Sequence, residues 1–283
     1  MREEQFEIVL NGGLGNQLFG WALGYAASQE SGLTCRYNIS RIEGRNFELS
    51  AFGIRGDKSE PFQLCRINNR LFQNLMKRIP NTLLNRHYIE SGFHFQEKFL
   101  FPKNGVTYYG YFQSYKYFDK YSTQIKEILG SLQEPSQRFI QSCEYILMNK
   151  PFAVHIRRGD YLGRENYHGL TSVEYFESAM RMIRNSEASS NFILFSDSPL
   201  LTKNLLRDVV YLAEVTDSLS PAETLILMSL CKGIIGSNSS FSWWAAYLME
   251  SNSIRIFPRP WFTNSSLDTK DLLPSNWTQI DNS

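Results

Sequence analysis

Between residues 152 and 257, short apolar runs alternate with stretches of helical pattern, and few folds can absorb that alternation. Phe152-Ala153-Val154-His155-Ile156, Asn191-Phe192-Ile193-Leu194-Phe195, residues 208–212, Ile234-Ile235 and Ile254-Arg255-Ile256-Phe257 read as strands. Helices are expected between them: over about 173–184, after Ser198-Pro199, over 221–232 and over 241–250. Ser220-Pro221-Ala222-Glu223 is a capping box with proline in the first helical position, which marks where the third of these begins. Strand–helix alternation builds a parallel sheet with helices on both faces. In such a sheet, ligands gather beyond the carboxyl ends of the strands.

Polar clusters stand at those ends. Arg157-Arg158-Gly159-Asp160 follows the first strand, Ser196-Asp197 the second, and Ser237-Asn238-Ser239-Ser240 the run Ile234-Ile235. Parallel strands bring all of them to one edge of the sheet. An arginine carries a permanent charge and can grip a pair of oxygens at once, which suits a diphosphate. The serine cluster also precedes a helix, whose first N–H groups and dipole favour an anion. Plain readings exist: the arginines as ion pairs around a turn, Ser239 or Ser240 as an N-cap, Asp197 as a turn residue. Their coincidence at one edge favours the diphosphate site, built from arginine, hydroxyl and amide groups without lysine or metal.

The first half opens with Glu7-Ile8-Val9-Leu10 as a strand, then Asn11-Gly12-Gly13-Leu14-Gly15-Asn16-Gln17. A helix over about 18–30 closed by Gly32 and a strand over 33–39 complete the unit. It is an incomplete dinucleotide fingerprint, because Leu18 stands where the last glycine belongs, but it suits close approach of backbone to a ligand. Further on, a helix is expected over 65–78, ahead of Pro80. The aromatic tract from Gly110 to Phe118 reads as packing between sheet and helices. Helices over 119–129 and 137–148 follow, and Pro151 marks a boundary between a domain of residues 1–150 and one of 151–283.

The balance of the chain narrows its partners. A net charge of +1, from 29 basic and 28 acidic residues, argues against a general nucleic-acid binder. Cys35, Cys65, Cys143 and Cys231 form no C-x-x-C pair and signal neither zinc nor redox chemistry. With no apolar leader and no run approaching about 18 apolar residues, a cytoplasmic protein is expected, at most peripheral at the inner face of a membrane. There is no G-x-x-x-x-G-K-[ST] loop and no G-x-S-x-G elbow. Nor is there an Asp-x-Asp pair of the kind that holds a nucleotide-sugar diphosphate through a divalent cation, so no metal and no cofactor are expected.

Four motifs then occur in order: Gly12-Gly13-Leu14-Gly15-Asn16-Gln17-Leu18-Phe19, Gly110-Tyr111-Phe112-Gln113-Ser114, His155-Ile156-Arg157-Arg158-Gly159-Asp160-Tyr161, and Ser237-Asn238-Ser239-Ser240-Phe241-Ser242-Trp243-Trp244. Together they resemble the α-1,2-fucosyltransferases of glycosyltransferase family 11 in their bacterial form, and the likeness continues to Pro260-Trp261-Phe262. The resemblance implies a GT-B-like α/β fold of two Rossmann-like domains facing across a cleft, the first on the acceptor side and the second holding the donor. It implies inverting, metal-independent transfer of L-fucose from GDP-β-L-fucose to the 2-hydroxyl of a terminal galactoside, on an oligosaccharide or a glycolipid. By that likeness Arg157 grips the β-phosphate and Arg158 supports the loop or the diphosphate. Ser239, Ser240 and Phe241, with Asn238 before them, match a turn that meets the donor phosphates. Asp197 joins them at the sheet edge, and His155 stands where relatives bring a histidine to the nucleotide. Gly13, Gly15, Asn16 and Gln17 would reach the donor from the first domain. Glu223 corresponds to a guanine-recognising carboxylate or, the preferred reading, only to the partner of Ser220 in the capping box. Candidates for the general base are Asp160, Glu165 and His155, with Asp160 alternatively clamping the arginines. Family members often carry a histidine where this chain has Gly233. The competing readings are another GDP-sugar transferase, such as a protein O-fucosyltransferase, and a non-catalytic protein that binds nucleotide sugars or glycans. Oligomeric state has no signature in the sequence.

Overall fold

The computed structural model describes residues 4–42, 44–59, 87–158, 170–264 and 266–282. The chain divides into two compact α/β units: Met1–Leu129 with Asp268–Leu273, and Gly130–Leu267 with Pro274–Ser283.

Unit 1 is built on a parallel sheet of β1 (Gln5–Val9), β2 (Thr34–Asn38), β3 (His87–Ile89) and β4 (Thr107–Tyr109), in the order β2-β1-β4-β3. Helix α1 (Leu14–Ser31) joins β1 to β2. It begins inside the glycine stretch rather than near Leu18, because Gly12 turns the chain with a left-handed φ of 73° and Gly13 serves as N-cap. It ends at Gly32 as expected, where a φ of 74° lets the Gly32 N–H reach Ser28 O. One face of the sheet, with Ile8, Cys35 and Tyr37, lies under α1 so closely that a Cβ on Gly24 would meet the Tyr37 ring at 2.5 Å. The other face carries a polar row in register: Glu7 opposite Arg36 on one side and Thr107 on the other. Glu7 is fully buried, pairs with Arg36, and accepts from Asn38 Nδ2 (2.7 Å) and Thr107 Oγ1 (2.9 Å). A buried carboxylate is tolerable only with such partners. The aromatic tract packs as expected: Phe99 meets Tyr108 and Phe112 edge to face, and Phe112 meets Tyr117. The expected helix over 65–78 lies outside the described residues. Over 119–129 the chain starts as a 3-10 turn, Asp119–Tyr121, before α2 (Ser122–Leu129).

Unit 2 is a five-stranded parallel sheet ordered β6-β5-β7-β8-β9, from β5 (Phe152–Ile156), β6 (Phe192–Ser196), β7 (Gly233–Gly236), β8 (Ile254–Arg259) and β9 (Thr278–Asp281). Its helices are α3 (Gln137–Asn149), α4 (Val173–Ser186), the short α5 (Pro199–Thr202) and α6 (Ala213–Thr216), α7 (Pro221–Ser229) and α8 (Ser240–Leu248). Every residue of β5 is buried, as a central parallel strand requires. Phe152, Val154 and Ile156 pack against Tyr175, Phe176, Ala179 and Ile183 of α4. The Tyr175 hydroxyl lies 2.8 Å from Gly236 O and 3.0 Å from Ile256 O, fixing α4 to the ends of β7 and β8.

The expectation from sequence departs from the structure in three places. Residues 208–212 contribute only an isolated bridge, Val210 to Ile193, rather than a strand. The sheet gains β9, whose Thr-Gln-Ile-Asp pattern on an edge has no apolar run to announce it. The boundary between units falls after Leu129, not at Pro151. Helix α3 belongs with unit 2 because its polar contacts go there: Ser136 N–H to Glu223 (2.7 Å) and Arg138 Nη2 to Ala213 O (3.1 Å).

Candidate functional site

The carboxyl edge of the unit 2 sheet collects the polar clusters. In the β5–β7 register His155 stands opposite Gly236, and Ser237 N–H donates to His155 O (3.1 Å). In the β5–β6 register Ile156 stands opposite Ser196. Arg157 and Arg158 therefore leave the sheet between Asp197 on one side and the Ser237–Ser240 turn on the other.

Asp197 holds both arginines. Its Oδ2 lies 3.6 Å from Arg157 Nε, and its Oδ1 accepts the Arg158 backbone N–H at 3.0 Å. Arg158 Nη2 also donates to Thr171 O (3.0 Å), and burial pulls the pKa of that guanidinium down. The Arg157 side chain keeps 20% of its surface exposed. Asp197 thus ties down the start of the arginine loop. Gly159, Asp160 and Glu165 lie outside the described residues.

The serine turn divides its labour. Ser239 caps α8, its hydroxyl accepting the Phe241 N–H (3.2 Å), so the plain N-cap reading holds for it. Asn238 is buried and braces loops: it accepts from Thr171 Oγ1 (3.3 Å) and donates to Trp261 O (3.0 Å). Both contacts brace the start of α8 against neighbouring loops. Ser240 and Phe241 are half-buried and form the accessible start of α8. Beneath them, His155 is 3% exposed, with Nδ1 against Ser242 Oγ and its ring 5.6 Å from that of Phe241. Burial, reinforced by the Arg157 charge and opposed by Asp197, lowers its pKa to about 4. A neutral, covered imidazole supports the first turn of α8 and is poorly placed to take a proton from an acceptor. Gly233 has its own reason here, since a Cβ would come within 2.6 Å of Ile254 O.

Glu223 and Gln17 both have structural partners. Glu223 is 6% exposed, and the capping box takes its Oε2 through the Ser220 N–H (2.8 Å) while Oε1 accepts the Ser136 N–H (2.7 Å). Such a carboxylate is a double cap, in line with the capping box preferred from the sequence. In unit 1, Gln17 is fully buried in the first turn of α1. Its Nε2 reaches Gly12 O (2.9 Å) and Asn46 O (2.8 Å), and its Oε1 accepts the Glu48 N–H (3.0 Å). That amide is a staple between loops. Asn16 accepts from Gln113 Nε2 (2.8 Å), Gly15 is buried within α1, and a Cβ on Gly13 would meet nothing within 4 Å.

Sequence reasoning missed a cavity of about 380 Å³ beside the end of β6, lined by Ser196, Pro199, Tyr211, Asp217, Ser218 and Thr224 among others. Asp217 accepts from the Tyr211 hydroxyl, which raises the Tyr211 pKa to about 12. The one signal was the polar stretch Thr216-Asp217-Ser218 ahead of the capping box, which read as ordinary loop. Among the described residues, no three His, Cys, Asp or Glu side chains gather as a metal site, and no helix is long and apolar enough to cross a membrane.

Comparison with known proteins gives the chain its family. The family model described as "Glycosyl transferase family 11" matches residues 1–281. An "Alpha-1,2-colitosyltransferase" of Escherichia coli is 28% identical over 286 positions, covering 96% of this chain and 97% of that protein. The "O-antigen biosynthesis glycosyltransferase WbnK" of Escherichia coli is 28% identical, covering 91% of this chain and 95% of that protein. Among solved structures, fucosyltransferase NodZ from Bradyrhizobium overlaps with a TM-score of 0.47 at 13% identity, over 88% of this chain and 94% of that one.

Proposed function

The chain belongs to glycosyl transferase family 11, and from that premise we propose that it moves L-fucose from GDP-β-L-fucose to the 2-hydroxyl of a terminal galactoside, with inversion. The observation that carries this reading is the Arg157–Asp197–Arg158 cluster beside the start of α8, on one edge of a parallel sheet. Glycosyl transfer passes through an oxocarbenium-like state. Negative charge then builds on the departing β-phosphate, and a fixed guanidinium is worth most at that moment. Asp197 aims Arg157 beforehand, so little reorganisation is left to the reaction. In this reading the guanidinium does what a divalent cation does in metal-dependent relatives. Ser240, Phe241 and the first N–H groups of α8 receive the remaining phosphate oxygens.

The nucleoside fits the cavity beside β6. Guanine offers N1–H and its amino group side by side, and the Asp217 carboxylate in the cavity wall, held in place by the Tyr211 and Thr216 hydroxyls, has lone pairs left to accept both. Asp160 and Glu165 stay the candidates for the general base. The acceptor is a galactose-terminated oligosaccharide or glycolipid, and a glycolipid would bring the protein to a membrane surface without a span.

One observation favours a second reading of the sugar. The α-1,2-colitosyltransferase relative covers nearly the whole chain, and colitose is L-fucose without its 3-hydroxyl. Incubation with GDP-fucose or GDP-colitose and lactose, followed by linkage analysis, separates the two. The expected product is lactose carrying an α-1,2-linked fucose. Transfer from GDP-colitose alone would establish the second reading, and free GDP with no glycoside product would remove both.

A further inference from the structure

The Gly110-Tyr111-Phe112-Gln113-Ser114 motif has no part in the donor site, yet its geometry is specialised. It follows β4 at the carboxyl edge of the unit 1 sheet. Glu90, which follows the neighbouring β3, accepts the Tyr111 N–H (2.8 Å) and the Phe112 N–H (2.9 Å) on a single oxygen. Only glycine fits at position 110, because a Cβ there would lie 2.7 Å from that oxygen. Phe112 holds a left-handed φ of 53°, a costly conformation for a residue with a side chain. The strained turn sends successive rings in opposite directions. Phe112 is fully buried in the aromatic core, whereas Tyr111 is turned outward and is 43% exposed.

Tyr111 is not left loose. Its ring lies along that of Phe93, with 18° between the planes and 6.5 Å between centroids. The loop under it is tied to the β1–α1 turn by Asn11 Nδ2 to Gly110 O (3.4 Å) and Gln113 Nε2 to Asn16 Oδ1 (2.8 Å). Burial of Phe112 accounts for the strain at that residue, but not for a large ring braced outward beside it. A braced, outward aromatic face is the construction of a binding surface.

We propose that the stacked Phe93–Tyr111 pair is a sugar platform that receives the apolar face of the acceptor pyranoside. This rests on the transferase reading, which requires a second sugar besides the donor. A galactose-type ring, with its axial 4-hydroxyl, gathers the hydrogens of C3, C4 and C5 on one face. That face covers an aromatic plane and leaves the 2-hydroxyl at the opposite edge of the ring. The loop that carries Tyr111 is held by amide and carboxylate groups, from Asn11, Asn16, Gln113 and Glu90, rather than set in an apolar surface, which suits a polyhydroxylated ligand better than a lipid chain or an apolar peptide.

The test uses the full chain with lactose, N-acetyllactosamine and methyl β-galactoside as probes. Saturation-transfer NMR without donor reports which sugar protons touch the protein, and steady-state kinetics report the KM values. Tyr111→Ala is expected to raise the acceptor KM by about tenfold, with the donor KM within about twofold of wild type. Tyr111→Phe, which keeps the ring, is expected to retain the wild-type acceptor KM, and Phe93→Leu to behave as a milder Tyr111→Ala. In NMR the H3, H4 and H5 signals of galactose should be the most saturated and should fade in Tyr111→Ala. The platform is overturned if Tyr111→Ala leaves the acceptor KM unchanged, if donor and acceptor KM rise together, or if none of the probes contacts the wild-type protein. Should the wild type transfer no sugar at all, the transferase reading fails, while the NMR comparison of wild type and Tyr111→Ala still decides the platform.

Discussion

At the scale of single residues, the carboxyl edge of the unit 2 sheet turns on who neutralises whom. Asp197 pairs with the Arg157 guanidinium and accepts the Arg158 backbone N–H, while the Arg158 guanidinium donates to Thr171 O, so one carboxylate fixes the loop without neutralising both cations. Arg157→Ala is expected to lose mainly turnover, about 3 kcal/mol or more in the barrier, or on the order of a hundredfold in rate. Single-turnover measurement with saturating GDP-fucose checks it, and a rate within a few-fold of wild type would remove Arg157 from the transition state. Arg157→Lys is expected to rescue poorly, since an ammonium cannot reproduce the planar fork. His155 makes a separate claim about stability. Its folded pKa of about 4 lies below the ordinary 6.5, so the unfolded chain takes up a proton that the folded chain refuses. The contribution is whole above pH 6.5 and is lost as pH falls towards 4, by up to roughly 3 kcal/mol. Urea midpoints of wild type and His155→Gln at pH 7 and pH 4.5 test the sign: the variant should show the smaller acid loss. An equal loss in both proteins would mean the imidazole is not held neutral.

At the scale of elements, caps and turns decide where side chains can act. The Ser220–Glu223 box starts α7, and the spare oxygen of Glu223 anchors the start of α3 through the Ser136 N–H. Glu223→Ala is expected to lower stability by about 2 kcal/mol in denaturant titration while leaving GDP affinity within about twofold. A large loss of GDP affinity at unchanged stability would restore the carboxylate to the nucleotide. This box could be read in the sequence because its signature is local: a serine, a proline and a glutamate at fixed offsets. The strands β5, β6, β7 and β8 were legible for a similar reason, as apolar runs bounded by turn residues. Elements whose form depends on distant partners were not. Residues 208–212 carry the β-branched pattern of a strand but meet the sheet at a single bridge, and β9 has no apolar pattern because it forms a half-exposed edge. The start of α1 was misplaced because glycine propensity argues against helix, whereas Gly12 and Gly13 supply the turn and cap from which Leu14 begins. The site shows the same division. The arginines and the serine turn stood out by residue type, but the contacts of Asp197 with Arg157 and with the Arg158 N–H depend on the neighbouring strand and could not be read locally. Asp217 reaches the cavity only because residues 196, 211 and 224 meet it in space.

At the scale of the molecule, the chain does not divide where its sequence changes character. Pro151 precedes the clear strand–helix alternation, yet the contacts divide after Leu129, and Asp268–Leu273 returns to unit 1 before β9 completes the sheet of unit 2. The returning stretch is held by Asp271, which accepts the Phe95 N–H (2.9 Å) and pairs with Lys116. Helix α3 is the decisive element for the boundary. It buries Phe139, Ser142 and Ile146, and the residue before it satisfies the second oxygen of Glu223. A fragment of residues 151–283 would expose the surface α3 covers and leave a buried carboxylate oxygen without its donor, each a cost on the order of 1–3 kcal/mol or more. Against a typical domain stability of about 5–15 kcal/mol, those losses are large. A fragment of residues 130–283 is therefore expected to unfold cooperatively and to bind GDP by calorimetry. The 151–283 fragment should melt broadly or at markedly lower temperature, with GDP affinity reduced accordingly. If the shorter fragment matches the longer in both melting and GDP binding, α3 contributes nothing to the donor unit and the boundary belongs at Pro151 after all.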